Sequence, residues 1–271
     1  MIGLKKILFS SLGLVLCVIL VGFYLRQKGL NVRHEELSHP YFSAKSSYAN
    51  PAVIAYQGLP KRFPPNSLEG FQAAAAMGED IILWADIRFT HDHTFFLLAD
   101  KELSSQTNGV GEIIMHTAQD IENLDAGFNF KNKMGEFDFR GKGVKILKLD
   151  EFLRTFPHHR LILNMCDHAE QIDTAMKELI TKYNANDRVV IHSERDGVLR
   201  DFRNSEARWL YGSSRPLLSK LKIATSLGLG PALNFAADIM IGPLHWNRLE
   251  IINHSMVDEV LRRHKRIFIG P

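Results

Sequence analysis

The sequence predicts an α/β protein on a parallel sheet, with a (β/α)8 barrel as the best match and a doubly wound open sheet as the runner-up. Three observations lead there. After residue 50, short runs rich in Val, Ile and Leu alternate with segments of helical periodicity. Those runs are apolar throughout, as strands covered on both faces must be. About 220 residues follow the amino-terminal region, which is material for one barrel and its core.

The chain has 271 residues, a formal charge of +3, 45% hydrophobic content and two cysteines. The apolar content excludes disorder, and two cysteines exclude a disulfide-stapled scaffold. Lys and Arg are spread without a basic tract, so nucleic acid is not an expected partner. From Ile7 to Leu25 the chain carries no charge, with Lys5 and Lys6 before it and Arg26 and Lys28 after it. At ~1.5 Å per helical residue this run crosses an apolar layer of roughly 30 Å, and it predicts a single-span membrane anchor over residues 1–28. A cleaved signal peptide is the alternative, although no small-x-small site follows the run and Tyr24 and Arg26 stand where one would fall. A buried soluble helix is the third reading. Flanking charge does not orient the span; the very short tail before it favours a domain on the translocated, extracytoplasmic side. Residues 29–50 are polar and aperiodic, and predict a tether closed by Pro51, with the domain at 51–271.

Within the domain, Val53 to Tyr56 predicts a strand and Ser67 to Met77 a helix capped by Ser67. Ile81 to Phe89 and Thr94 to Leu98 are strands around a Thr-His-Asp-His turn. Arg160 to Met165, Arg188 to His192, Arg208 to Tyr211, Asp238 to Ile241 and Arg266 to Ile269 complete the strands. Glu170 to Tyr183 and Met256 to His264 are helices. Arg215 to Phe235 has an approximate apolar stripe with Lys220 and Lys222 on other faces. It reads either as a helix packed on the sheet or as an element resting on the membrane.

The stretch Val53 to Gly111 resembles the glycerophosphodiester phosphodiesterase family. The family's I-A-H-R-G is matched by Ile54-Ala55-Tyr56-Gln57-Gly58, and its P-E-N-T by Pro64-Pro65-Asn66-Ser67. Phe71, Ala74 and Gly78 match the helix that follows. Its E-x-D-V is matched by Trp84-Ala85-Asp86-Ile87, T-x-D-G by Thr90-His91-Asp92-His93, and H-D by Ala99-Asp100. Thr107-Asn108-Gly109-Val110-Gly111 and Leu147-Lys148-Leu149-Asp150-Glu151-Phe152-Leu153 continue the likeness. The resemblance implies a (β/α)8 barrel. It also implies hydrolysis of phosphodiesters by two histidines with a Ca²⁺ or Mg²⁺ ion on four carboxylates.

At the positions the resemblance marks as catalytic, this chain has Tyr56 and Ala99 for the histidines and Gln57 for the phosphate-contacting arginine. At the metal-ligand positions it has Pro65, Trp84, Asp86 and Asn164, so only Asp86 keeps its chemistry. A hard cation needs several anionic oxygens, and roughly four carboxylates have become one. Tyrosine is a poor base at neutral pH and alanine transfers no proton. These replacements predict a catalytically degenerate member with no metal cofactor.

Residues two apart on a strand share a face, so Trp84, Asp86 and Arg88 form one row. The expectation is that Trp84 and Tyr56 fill the vacated volume while Arg88 becomes the counter-ion of Asp86. The result is either a plugged mouth, a pocket in which Tyr56, Trp84, Asp86 and Arg88 bind a phosphate- or sugar-bearing molecule, or a repurposed catalytic site. His91 and His93 flank Asp92 in a turn that reads as solvated loop before metal site. His158-His159 reads as surface capping, and His116, His192 and His245 as structural. Ser193, Ser213 and Ser214 lack a nucleophile-elbow context.

Family members continue past the strand matching Arg266 to Ile269, whereas this chain stops at Gly270-Pro271. The expectation is a barrel left without its last strand, covered by something else, or truncated; an open edge would favour oligomers. Three functions follow in order: a ligand- or partner-binding protein near the membrane, a phosphoric diester hydrolase with an altered site, and a structural assembly protein.

Overall fold

The computed structural model describes residues 2–43 and 52–270; residues 44–50 of the expected tether and Pro271 lie outside the described residues. The chain forms two compact units, Ser38–Gly212 and the combination of Met1–Leu37 with Ser213–Pro271.

Helix α1 (Ile2–Leu30) opens the chain and extends the uncharged run at both ends. Its segment Gly13–Leu30 is long and apolar enough to cross a membrane and has no buried share. Part of the expected tether is ordered: α2 (Pro40–Ser43) places Tyr41 at 1% exposure, with the Arg160 guanidinium 5.7 Å from its ring centroid. Burial of an aromatic ring is what holds this otherwise polar stretch to the unit.

The unit Ser38–Gly212 is built on a parallel sheet. In chain order its elements are β1 (Ile54–Tyr56), α3 (Leu68–Ala75), β2 (Ile82–Phe89), β3 (Phe95–Leu97), α4 (Ala118–Ile121), α5 (Leu149–Thr155), β4 (Leu161–Met165), α6 (Ile172–Lys182), β5 (Val189–His192), α7 (Asp196–Ser205) and β6 (Leu210–Tyr211). The parallel strands run β1-β2-β4-β5-β6, each beside its predecessor. With no reversal of order, this sheet contains no switch point of a doubly wound fold. Thr94 to Leu98, expected as a strand, supplies β3, which folds back antiparallel on the end of β2 with Phe89 opposite Phe95. The reason is the tight Thr90–Thr94 turn, closed by a backbone bond of 3.1 Å and by His93 at φ 58°. Asp92 accepts from Thr90 Oγ1 and from the backbone of Ala118, so the His-Asp-His turn is organised around a cap.

One face of the sheet carries Ala55, Leu83, Ala85, Ile87, Leu163, Met165 and Ile191, all packed in one core with Phe71, Phe152, Met176 and Phe202 from the helices. Phe71 and Phe152 sit 4.7 Å apart, centroid to centroid. Ser67 caps α3 as expected, its hydroxyl accepting from Gly70 N at 3.2 Å. A second core joins Phe96 of β3 to Leu103, Ile113, Ile121 and Ile146 in the long excursion between β3 and α5.

In the other unit, α8 (Arg215–Ser226), β7 (Ile239–Gly242), β8 (His245–Trp246), β9 (Leu249–Glu250), α9 (His254–Arg262) and β10 (Arg266–Ile269) follow. Strands β7 and β10 pair in parallel, and β8 and β9 form a small hairpin that periodicity did not mark. Leu218, Leu221, Met240, Met256 and Val260 make its core.

Candidate functional site

The face of the parallel sheet opposite the helices carries the residues that would do chemistry. Strand register sets Tyr56 beside Trp84, Asp86 beside Asn164, and Asn164 beside His192. Alternation along β2 then puts Trp84, Asp86 and Arg88 in one row, as expected.

Asp86 is the centre, 3% exposed. Its Oδ1 accepts from Trp84 Nε1 at 3.1 Å and from Asn164 Nδ2 at 2.8 Å. Its Oδ2 accepts from Gln57 Nε2 at 2.5 Å and from Asn66 Nδ2 at 3.5 Å. A carboxylate offers about four lone-pair sites, and each is met by an N–H. All four donors are neutral, which compensates a buried negative charge by hydrogen bonding alone.

Backbone conformation brings these donors in. Gln57, Gly58 and Leu59 are consecutive left-handed residues, with φ of 50°, 68° and 63°. That turn swings the Gln57 side chain over the sheet. It needs glycine at its apex, where a Cβ on Gly58 at φ 68° would stand 2.8 Å from Phe71 N, and glycine again at the facing position 70, where a Cβ would stand 2.1 Å from Gly58 O. Asn66, at φ 59°, also accepts from Asp86 N at 3.1 Å through its Oδ1, so its amide grips both backbone and carboxylate. Asparagine tolerates this conformation better than most residues do.

Three rings stand together beside Asp86. Trp84 lies edge-on to Tyr56 at 5.7 Å and to His192 at 5.2 Å. The Tyr56 hydroxyl accepts from Gln57 Nε2 at 2.9 Å, and burial with the nearby Asp86 charge pushes its pKa up. His192 is buried with Nδ1 unpartnered, and burial lowers its pKa to about 4, so it is neutral across the physiological range. Cys166 is pushed up to about 12, first by burial and then by Asp86, which makes it an inert thiol.

One expectation is corrected. Arg88 is not the counter-ion of Asp86: its Nη1 donates to both oxygens of Asp167 at 2.8 Å, and its Nη2 to Ala99 O at 3.0 Å. Two residues of strand carry Arg88 about 6.6 Å beyond Asp86, level with the chain just past β4. The Asp86 oxygens are already filled. Ala99 is further held by Gln106, whose Oε1 accepts from Ala99 N at 2.9 Å while its Nε2 donates to Pro65 O at 3.3 Å. Pro65 and Gln106 also line a cleft of about 210 Å³ with Pro60, Asn129 and Lys131.

Sequence reasoning identified Tyr56, Trp84, Asp86, Arg88 and Asn164 but missed the roles of Asn66, Asp167 and Gln106. Only Asn66 had a signal, from its place in the Pro-Pro-Asn-Ser stretch. The other two depend on how loops return to the sheet.

A model of the glycerophosphoryl diester phosphodiesterase family matches residues 57–218, well over half the chain. The chain belongs to that family. Among similar relatives, a glycerophosphodiester phosphodiesterase of Caldanaerobacter subterraneus subsp. tengcongensis is 28% identical over 156 residues, covering 56% of this chain and 61% of the relative. One from Bacillus subtilis is 31% identical over 111 residues, covering 40% and 36%. The chain thus spans under two thirds of each relative's length. Among solved structures, the glycerophosphoryl diester phosphodiesterase domain of an uncharacterized Mycobacterium tuberculosis protein aligns with TM-score 0.68 at 18% identity, covering 77% of this chain and 83% of that one. An Oleispira antarctica phosphodiesterase, solved with the product sn-glycerol-3-phosphate, aligns with TM-score 0.61 at 16% identity, covering 82% and 84%. These likenesses establish the α/β fold of the family's barrels.

The divalent ion expected of the family does not fit the residues present. The oxygens of Asp86 face N–H donors, which repel a cation. Among the described residues no three His, Cys, Asp or Glu side chains converge as a ligand set.

Proposed function

We propose that this chain is a membrane-anchored member of the glycerophosphoryl diester phosphodiesterase family that binds an anionic ligand or a partner near the membrane without hydrolysing it. In this reading residues 1–28 are the anchor, 29–50 the connection and 51–271 the barrel domain. The observation that carries the reading is the saturation of Asp86 by Trp84, Asn164, Gln57 and Asn66. A carboxylate in that state has no lone pair left for a metal. Tyr56 and Ala99 offer no acid–base pair at neutral pH, and each missing partner alone costs about 10²–10⁴ in rate.

The ligand-binding part rests on Arg88. Its guanidinium is largely buried and, among the described residues, its Nε is unpartnered and its anionic contact is the side chain of Asp167. A phosphate group would take the place of that carboxylate, in the geometry guanidinium favours. The product bound by the Oleispira antarctica relative makes glycerol phosphate the first ligand to try.

The test is release of glycerol phosphate from glycerophosphodiesters by the full chain in detergent, with and without Ca²⁺ or Mg²⁺. The expected outcome is a rate equal to the protein-free blank. Metal-dependent turnover that disappears in Asp86→Ala would overturn the proposal and favour a hydrolase with an altered site.

A further inference from the structure

Helix α1 is exposed from Gly13 to Val21 and changes character at Gly22. Gly22, Arg26 and Gly29 are partly covered and, spaced by four and three residues, share one helix face. That face rests on the turn after α8, within the same unit. A Cβ on Gly22 would meet Leu229 Cδ2 at 3.4 Å, and one on Gly29 would stand 1.8 Å from Pro231 O. Arg26 Nε donates to Gly228 O at 3.1 Å.

The turn is held from its other side by a buried ion pair. Arg263 and Glu259, each 5% exposed, meet at 2.6 Å. Arg263 Nη2 then donates to the carbonyls of Gly230 at 3.1 Å, Pro231 at 3.4 Å and Leu233 at 2.5 Å. Gly228, at φ 70°, ends α8 and turns the chain toward α1. The end of α1 is therefore docked on a braced loop.

The docking fixes a level. Leu229 stands beside Gly22, three residues inside the end of the uncharged run at Leu25, which is about 4.5 Å along the helix. On α8 and the residue that follows it, Ile223 and Leu227 are 62% and 67% exposed, and Lys220 of α8 and Lys28 of α1 are exposed as well. Exposed apolar side chains on a turn docked against an apolar helix, with exposed cations on the same two helices, match the boundary between acyl chains and anionic headgroups.

We propose that Ile223 and the turn Leu227–Leu229 enter the headgroup layer of the bilayer that α1 crosses, seating this unit directly on the lipid. The inference rests on the reading of α1 as an anchor, and the two fail differently. The full chain is reconstituted into phosphatidylcholine vesicles with and without phosphatidylglycerol. An environment-sensitive fluorophore is attached at Leu227→Cys, or separately at Ile223→Cys, in a Cys17→Ser, Cys166→Ala background. Both labelled positions are exposed, so the fold tolerates the change. The expected result is a fall in emission of about twofold or more when lipids carry a headgroup-depth quencher, compared with quencher-free vesicles. No fall, with the chain retained in the membrane after alkaline carbonate, overturns the seat and leaves the anchor. Extraction by carbonate overturns both.

Discussion

Asp86 is the residue on which the proposed function turns. In a metal site a carboxylate turns its lone pairs toward a cation; here they are turned toward Trp84, Asn164, Gln57 and Asn66. Asp86→Ala strands those buried donors, and the expected cost is on the order of 3 kcal/mol in urea unfolding, with Asp86→Asn costing less. His192 makes a pH prediction. Burial lowers its pKa to about 4, against 6.5 in the unfolded chain. Between those values the unfolded state takes up a proton and the native state does not. Stability therefore falls as the pH drops from 6.5 toward 4, by on the order of 3 kcal/mol in all. His192→Phe, which keeps a ring against Trp84, removes that slope. The check is the difference between the two proteins' urea midpoints at pH 7 and pH 4.5; His34 and His159, also lowered by burial, are common to both.

At the scale of elements, the site exists because β1, β2, β4 and β5 present alternate residues to the face that the helices leave free. Two-residue periodicity made the Trp84–Asp86–Arg88 row readable before any coordinates. The partner of Arg88 was not readable, because Asp167 reaches it from another strand's end, 79 positions away. The loop after β1 depends on the close approach of Gly58 and Gly70. Gly70→Ala places a methyl against the Gly58 carbonyl, so it should unfold at a clearly lower temperature than the parent. Glycine at a helix position ordinarily gains from this substitution, and the sign is the test.

For the whole molecule, the proposal of a binding protein without a metal predicts a pattern of ligand effects on thermal unfolding. Ca²⁺ and Mg²⁺ at millimolar concentration should leave the melting temperature where a monovalent salt of equal ionic strength does. Glycerol 3-phosphate should raise it, since a ligand at 100 times its dissociation constant adds about 2.7 kcal/mol. Arg88→Gln should abolish that rise. A shift with Ca²⁺, or none with glycerol 3-phosphate in the parent, counts against the binding reading.

The order of strands and helices, the apolar amino-terminal helix and the motif resemblance to the family are properties of local pattern, and they stand in the sequence. Periodicity records which face a residue occupies because burial acts on each element locally. Tertiary structure alone decided what those residues touch. Asp86 is shared by amides from three other segments, and Arg88 is turned to Asp167. Tyr41 is buried out of a stretch that reads as linker, and α1 ends on a turn some 200 residues further along. Those outcomes depend on contacts between distant parts of the chain. Their geometry comes from packing and from the demand that buried polar groups find partners, and spacing in the sequence carries no record of either.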